Sequence, residues 1–238
     1  MDTEERVIND VESVLHQAGY TLADYFRATA KRNSTLLMMD DANIAECIAL
    51  YDAINAGGLA RGEKGKKLED LSSILFEKGI DNLFDVYRNC RTSTNEIDLL
   101  VRWTEMARLS GISNSFPCFG ELFLCECKNY DGPVNVTYVG KFSSLMSVTN
   151  TGLGVMISWD GVTGRSNLSD SKGLIKKIAL HENRFIIVLD KADLRKICDK
   201  KENVLSLVYD KYVALKNEID YDKYISKHDA EDTLNREG

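Results

Sequence analysis

The chain has 238 residues, 44% of them hydrophobic and only two of them proline, which suits one good-sized ordered domain with an appendage or two small ones. No apolar run approaches the ~20 residues needed to cross a bilayer, and the acidic opening MDTEERVIND is unlike a signal peptide, so a cytoplasmic protein with no membrane partner is expected. The net charge of −7 divides unevenly: residues 1–60 hold 4 Lys+Arg against 10 Asp+Glu, 61–200 hold 20 against 18, and 201–238 hold 6 against 9, so a mildly basic middle permits a phosphate-bearing substrate.

In chain order, EERVINDVESVLHQAG places apolar residues at helical spacing, and DDANIAECIALYDAINAGG opens on acids suited to a helix N-terminus and closes on two glycines. LARGEKGKK, residues 59–67, reads as a charged linker and sets a domain boundary near residue 61. KKLEDLSSILFEKG predicts an amphipathic helix. FDVYRNC (84–90) and EIDLLVRW (96–103) predict two strands joined by the turn-like RTSTN, and a third strand runs over roughly 119–128. NVTYVGKFSSLMSVTN predicts a helix, GLGVMIS (152–158) a strand, LSDSKGLIKKIALHEN a helix, FIIVLD (185–190) a strand, and ADLRKICDK a helix. The order α-β-β-β-α-β-α-β implies a mixed α/β layout with hairpin strands first and crossovers after. VLSLVYDKYVALKNEI then predicts a C-terminal helix before a polar tail. Three regions result: a helical N-terminal segment, 1–60; a central domain, 61–200; and a C-terminal helix with its tail, 201–238.

The stretch FLCECKNYDG, 123–132, carries the chemistry. It reads as a buried strand, yet Glu126 and Lys128 stand two positions apart and share a face. Burying an unpaired charge costs several kcal/mol or so, so a partner or an ion is expected. In EIDLLVRW, Asp98 is another acid in an apolar strand. If the second and third strands are neighbours, Asp98 and Glu126 converge at one end of the sheet, where they repel unless a cation lies between them. Oxygen ligands favour magnesium, with manganese as a substitute. Cys118, Cys125 and Cys127 fit no usual zinc spacing, and the six cysteines, with no CxxC pair, read as reduced thiols.

Asp98 followed by Glu126-Cys127-Lys128 resembles the D-(x)n-E-x-K signature of the PD-(D/E)xK nucleases. Further, GKKLEDLSSILF resembles the first helix of the restriction-endonuclease-like fold, with Glu69 at its helical acid, and GLGVMISWDGVTG is similar to the strand and turn of the Mrr-like, type IV branch. The match spans roughly 62–197 in the family's order. It implies a mixed sheet flanked by helices and a magnesium-dependent endonuclease acting on DNA, in a prokaryotic restriction or anti-phage system. It also implies site roles. Asp98, Glu126 and the main-chain carbonyl of Cys127 hold the metal, Lys128 orients the attacking water, and Glu69 assists through water or a second ion. Lys66, Lys67 and Arg91 are candidates for positioning phosphates. Asp98 follows Ile where the family often has Pro, and 1–60 does not resemble the winged-helix module of such nucleases.

Each residue also has a plainer reading. Glu69 alone is an exposed helix acid, Asp98 a turn cap, Glu126 with Lys128 an edge ion pair, and Lys66 with Lys67 a solvated face. The histidines 16, 181 and 228 lie far apart in sequence and join no triad. Two further functions stay open: a catalytically silent nuclease fold serving as scaffold or sensor, and a nuclease for RNA or for branched or single-stranded DNA. Two cuts in a duplex imply a homodimer, and the acidic N-terminal helices suit a partner protein.

Overall fold

In the computed structural model the described residues are 3–21, 24, 37–80, 83–91, 96–109, 111–129, 131–164 and 170–217. The chain divides into two compact units, Met1–Met38 and Met39–Gly238. The first contains helix α1 (Thr3–Gln17), which ends at Gly19 with φ of 80°, a left-handed turn that glycine adopts without strain.

The second unit contains helices α2 (Asp41–Ala56) and α3 (Arg61–Glu77), then strands β1 (Phe84–Arg91) and β2 (Glu96–Trp103). The short helices α4 (Glu105–Leu109) and α5 (Ile112–Ser115) and a 3-10 turn (Pro117–Phe119) lead to β3 (Leu122–Lys128). After it come α6 (Val136–Val148), β4 (Leu153–Ser158), α7 (Asp170–Glu182), β5 (Phe185–Leu189), α8 (Lys191–Cys198) and α9 (Val204–Lys216). The turn 92–95 and the tail 218–238 lie outside the described residues.

Two sequence expectations are corrected. Residues 61–67 are not linker but the opening turns of α3. Gly62 and Gly65 each weaken a helix by about 1 kcal/mol relative to Ala, yet the buried Leu68, Leu71 and Leu75 further along hold it on the sheet. The third strand starts at Leu122, not 119, because Phe119 belongs to the 3-10 turn and Gly120 takes φ of 57°. The segments α4 and α5 went unpredicted, since five and four residues are too short to show a period.

The five strands lie in the order β1-β2-β3-β4-β5. The first three run antiparallel, and β3, β4 and β5 run parallel through the crossovers α6 and α7. This is the mixed sheet flanked by helices that the sequence implied. In β2, Ile97, Leu99, Val101 and Trp103 are buried and alternate with less buried residues, which fixes its register. Aromatic packing fills the space around α3 and β1 to β3. Phe84 lies 4.4 Å from Trp103 and Phe119 lies 5.1 Å from Phe123, measured between ring centroids. A hydrophobic cluster of Leu124, Val139, Phe142, Met146, Met156 and Ile178 joins α6 and α7 to the sheet. Each such side chain contributes about 1.5–3 kcal/mol when fully buried. Helix α2 is capped by Asp40, which accepts the Asn43 N–H at 2.8 Å, and buries Ile44, Cys47, Tyr51 and Ile54 in this same unit. Among the described residues no helix is long and apolar enough to cross a membrane.

Candidate active site

The central strand β3 is held differently on its two sides. Against β4 the pairing runs from Leu124–Gly154 to Lys128–Ser158. Against β2 it runs from Arg102–Leu122 only as far as Leu99–Cys125. Beyond that point β3 stays with β4 while β2 departs, and a fork opens. Asp98 closes the crotch of the fork: its Oδ2 accepts the Cys127 N–H at 2.7 Å, in place of a ladder bond. The N–H and C=O of one strand residue point to the same side, so the Cys127 carbonyl also faces the fork.

Glu126 and Lys128 emerge on the strand segment that borders this opening. The Lys128 ammonium is paired with Glu126 Oε1 and lies 3.8 Å from Asp98 Oδ2. One cation thus stands against two carboxylates, all three side chains being less than a fifth exposed. Glu126 Oε2 is buried and has no hydrogen-bond partner among the described residues. Burial, and after it the nearby Asp98, raises the Glu126 carboxyl above its ordinary range, and Lys128 opposes the rise without reversing it. Glu69 on α3 is raised for the same two reasons, in the same order. The acids therefore sense one another. Their mutual repulsion and the orphaned oxygen are what a bound cation would relieve, so Asp98, Glu126 and the Cys127 carbonyl fit a hard divalent ion. Among the described residues, however, no three His, Cys, Asp or Glu side chains are grouped to hold a metal. The ligand set rests on two carboxylates and one main-chain oxygen.

A cleft of about 680 Å³ adjoins the fork. One wall is α3, whose Arg61, Gly62, Gly65, Lys66 and Glu69 recur at helical spacing. A Cβ built on Gly62 or Gly65 would meet nothing within 4 Å, so the glycines leave this wall bare and the space open. The other wall is Cys127, Lys128, Asn129 and, from β1, Asn89. Asn129 ties the walls together, its Nδ2 donating to the Lys64 carbonyl at 3.1 Å.

The structure thus brings Glu69, Asp98, Glu126, Cys127, Lys128 and Lys66 to one place. Lys67 is not among them. It lines a separate groove with Asp70, Lys78 and Arg88, because adjacent helix positions diverge by about 100°. Arg91 ends β1, and its side chain lies outside the described residues. Three cleft residues escaped the sequence reading. Arg61 was hidden by the linker assignment, Asn129 lay unassigned within ECKN, and Asn89 looked like an ordinary polar strand residue.

No family model matches the chain, and no curated protein matches it. Among solved structures, the DNA modification-dependent restriction endonuclease AspBHI is similar, with a TM-score of 0.37 and 14% identity. That match covers 74% of this chain, which spans only 41% of the AspBHI chain. The functional reading rests on the site itself.

Proposed function

We propose that this protein is a metal-dependent nuclease that hydrolyses phosphodiester bonds of DNA, as an endonuclease in a prokaryotic restriction or anti-phage system. The observation that carries the reading is the fork, where Asp98 and Glu126 meet the Lys128 ammonium and a buried carboxylate oxygen has no partner among the described residues. Asp98, Glu126 and the Cys127 carbonyl would hold a magnesium ion, with manganese as a substitute. When bound, that ion supplies an activated water and stabilises charge on the scissile phosphate. The chain's own residues do the rest. Lys128 Nζ, at the mouth of the fork, donates to the attacking water or to a phosphate oxygen and favours the deprotonated nucleophile. Glu69, raised by burial, is suited to keep or pass a proton at the cleft wall. Lys66 and Lys128 give the cleft the positive charge that a phosphate backbone needs. A homodimer would supply the second cut, and the acidic N-terminal segment a surface for a partner protein.

The silent-scaffold reading has one observation in its favour: Lys128 already pairs with Glu126, and among the described residues no third ligating side chain joins them. Purified protein incubated with supercoiled plasmid, linear duplex, single-stranded DNA and RNA, with magnesium and with EDTA, separates the two. Cleavage of DNA that EDTA abolishes and that calcium supports poorly is expected. Undiminished cleavage in EDTA, or none of any substrate with magnesium or manganese, overturns the nuclease reading.

A further inference from the structure

Strand β1 pairs with β2 at Arg88–Leu99 and again at Cys90–Ile97, but the position between them, Asn89 opposite Asp98, is skipped. Asn89 takes φ of 51°. Left-handed backbone inside a strand is a strained choice for any residue with a Cβ, and Asn is among the few that tolerate it. The register does not slip, since the pairs on either side fit one alignment, so this is not a bulge that inserts a residue. The conformation instead removes one residue from the ladder and turns it into the cleft, which it lines together with Lys66, Glu69 and Lys128. Asn89 is exposed, and among the described residues no hydrogen bond or ion pair occupies its amide. On the same wall Asn129 already donates its Nδ2 to the Lys64 carbonyl, while its Oδ1 is buried without a partner among the described residues. Strain kept at a site, with the strained side chain left unengaged, points to a ligand.

From this we infer that Asn89 is a substrate-contacting residue, whose side-chain amide donates to the phosphate backbone of the nucleic-acid strand held between α3 and the fork. The inference rests on the nuclease reading above. It adds a neutral hydrogen-bond donor that positions the strand opposite Asp98, beside cations that attract it. The plainer explanation is that Asn was retained only because it accepts positive φ. Glycine separates the two, because it accepts that backbone better and carries no amide.

Wild type, Asn89→Gly, Asn89→Ala and Asn89→Asp are compared in steady-state cleavage of whichever plasmid, duplex, single strand or RNA the wild type cuts with magnesium, alongside thermal unfolding. Asn89→Gly is expected to unfold at or above the wild-type temperature, yet to raise KM about tenfold with kcat little changed, the effect of one lost hydrogen bond to a charged acceptor. Asn89→Ala should show the same KM rise with a lower unfolding temperature. Asn89→Asp, which places a carboxylate against phosphate, should bind more weakly still. Wild-type KM in Asn89→Gly, or a fall in kcat with KM unchanged, overturns the assignment while leaving the nuclease standing. A wild type that cuts nothing removes both.

Discussion

At the mouth of the fork, Lys128 has two possible jobs, and its removal tells them apart. Lys128→Ala leaves both carboxylates in place but removes the ammonium between them. Burial already raises the Glu126 carboxyl, and with its cationic partner gone the loss of stability should be about 1–3 kcal/mol, the cost of one buried group left unsatisfied. Cleavage is expected to fall about 10²–10⁴-fold, while affinity for the metal holds or rises. Glu126→Ala should lose metal binding and cleavage together. Metal titration, unfolding temperature and plasmid cleavage on the same two proteins check this, and a Lys128→Ala protein that cuts normally contradicts the role. The acids and Lys128 were legible in the sequence because charge inside an apolar strand is conspicuous. Lys67 falls in a separate groove because one-letter adjacency says nothing about helical direction until the helix is placed. Asn89 gave no signal at all: its oddity is a dihedral angle, and composition does not record one.

Among the elements, the strands and long helices announced themselves by period, while α4 and α5 did not. The opening of α3 was disguised by two glycines, which weaken the helical pattern. Packing is close where α6 crosses β4. A Cβ on Gly154 would lie 2.6 Å from Met146 Sδ and 2.7 Å from Phe142 Cε1. Gly154→Ala should therefore cost about 1–3 kcal/mol by overpacking, read as a lower midpoint in denaturant unfolding, and combined with Met146→Ala it should cost less than the sum of the two single changes. Helix α2 poses a second test. It buries Ile44, Cys47, Tyr51 and Ile54 in the second unit, so a fragment starting at Met39 should unfold cooperatively. One starting at Ala60 should lose several kcal/mol, at about 1.5–3 kcal/mol for each large apolar side chain withdrawn. Equal unfolding temperatures for the two fragments would show that α2 is dispensable.

For the molecule as a whole, the six cysteines are free, and burial governs the chemistry of three of them. It pushes the thiols of Cys47 and Cys118 up to about 12 and that of Cys198 to about 11. Because these exceed the usual 9.0, their contribution to stability is intact below about pH 9 and is lost as pH climbs toward 11–12. Alkylation of native protein at pH 8 should accordingly leave these three slow and unfolded protein fast, as mass spectrometry of the modified peptides would report. A last consequence concerns time. Lys211 on α9 donates to the Val188 carbonyl at 2.9 Å and pairs with Asp193, fastening β5 and α8 from the far end of the sheet. A ribosome that has just added Lys128 has made every candidate catalytic residue, but β4, which holds β3 on its parallel side, is not yet translated. Lys211 follows 83 residues later (211 minus 128), about 4–17 s at ~5–20 residues per second. A nascent chain carries the residues of the site for those seconds without carrying the site.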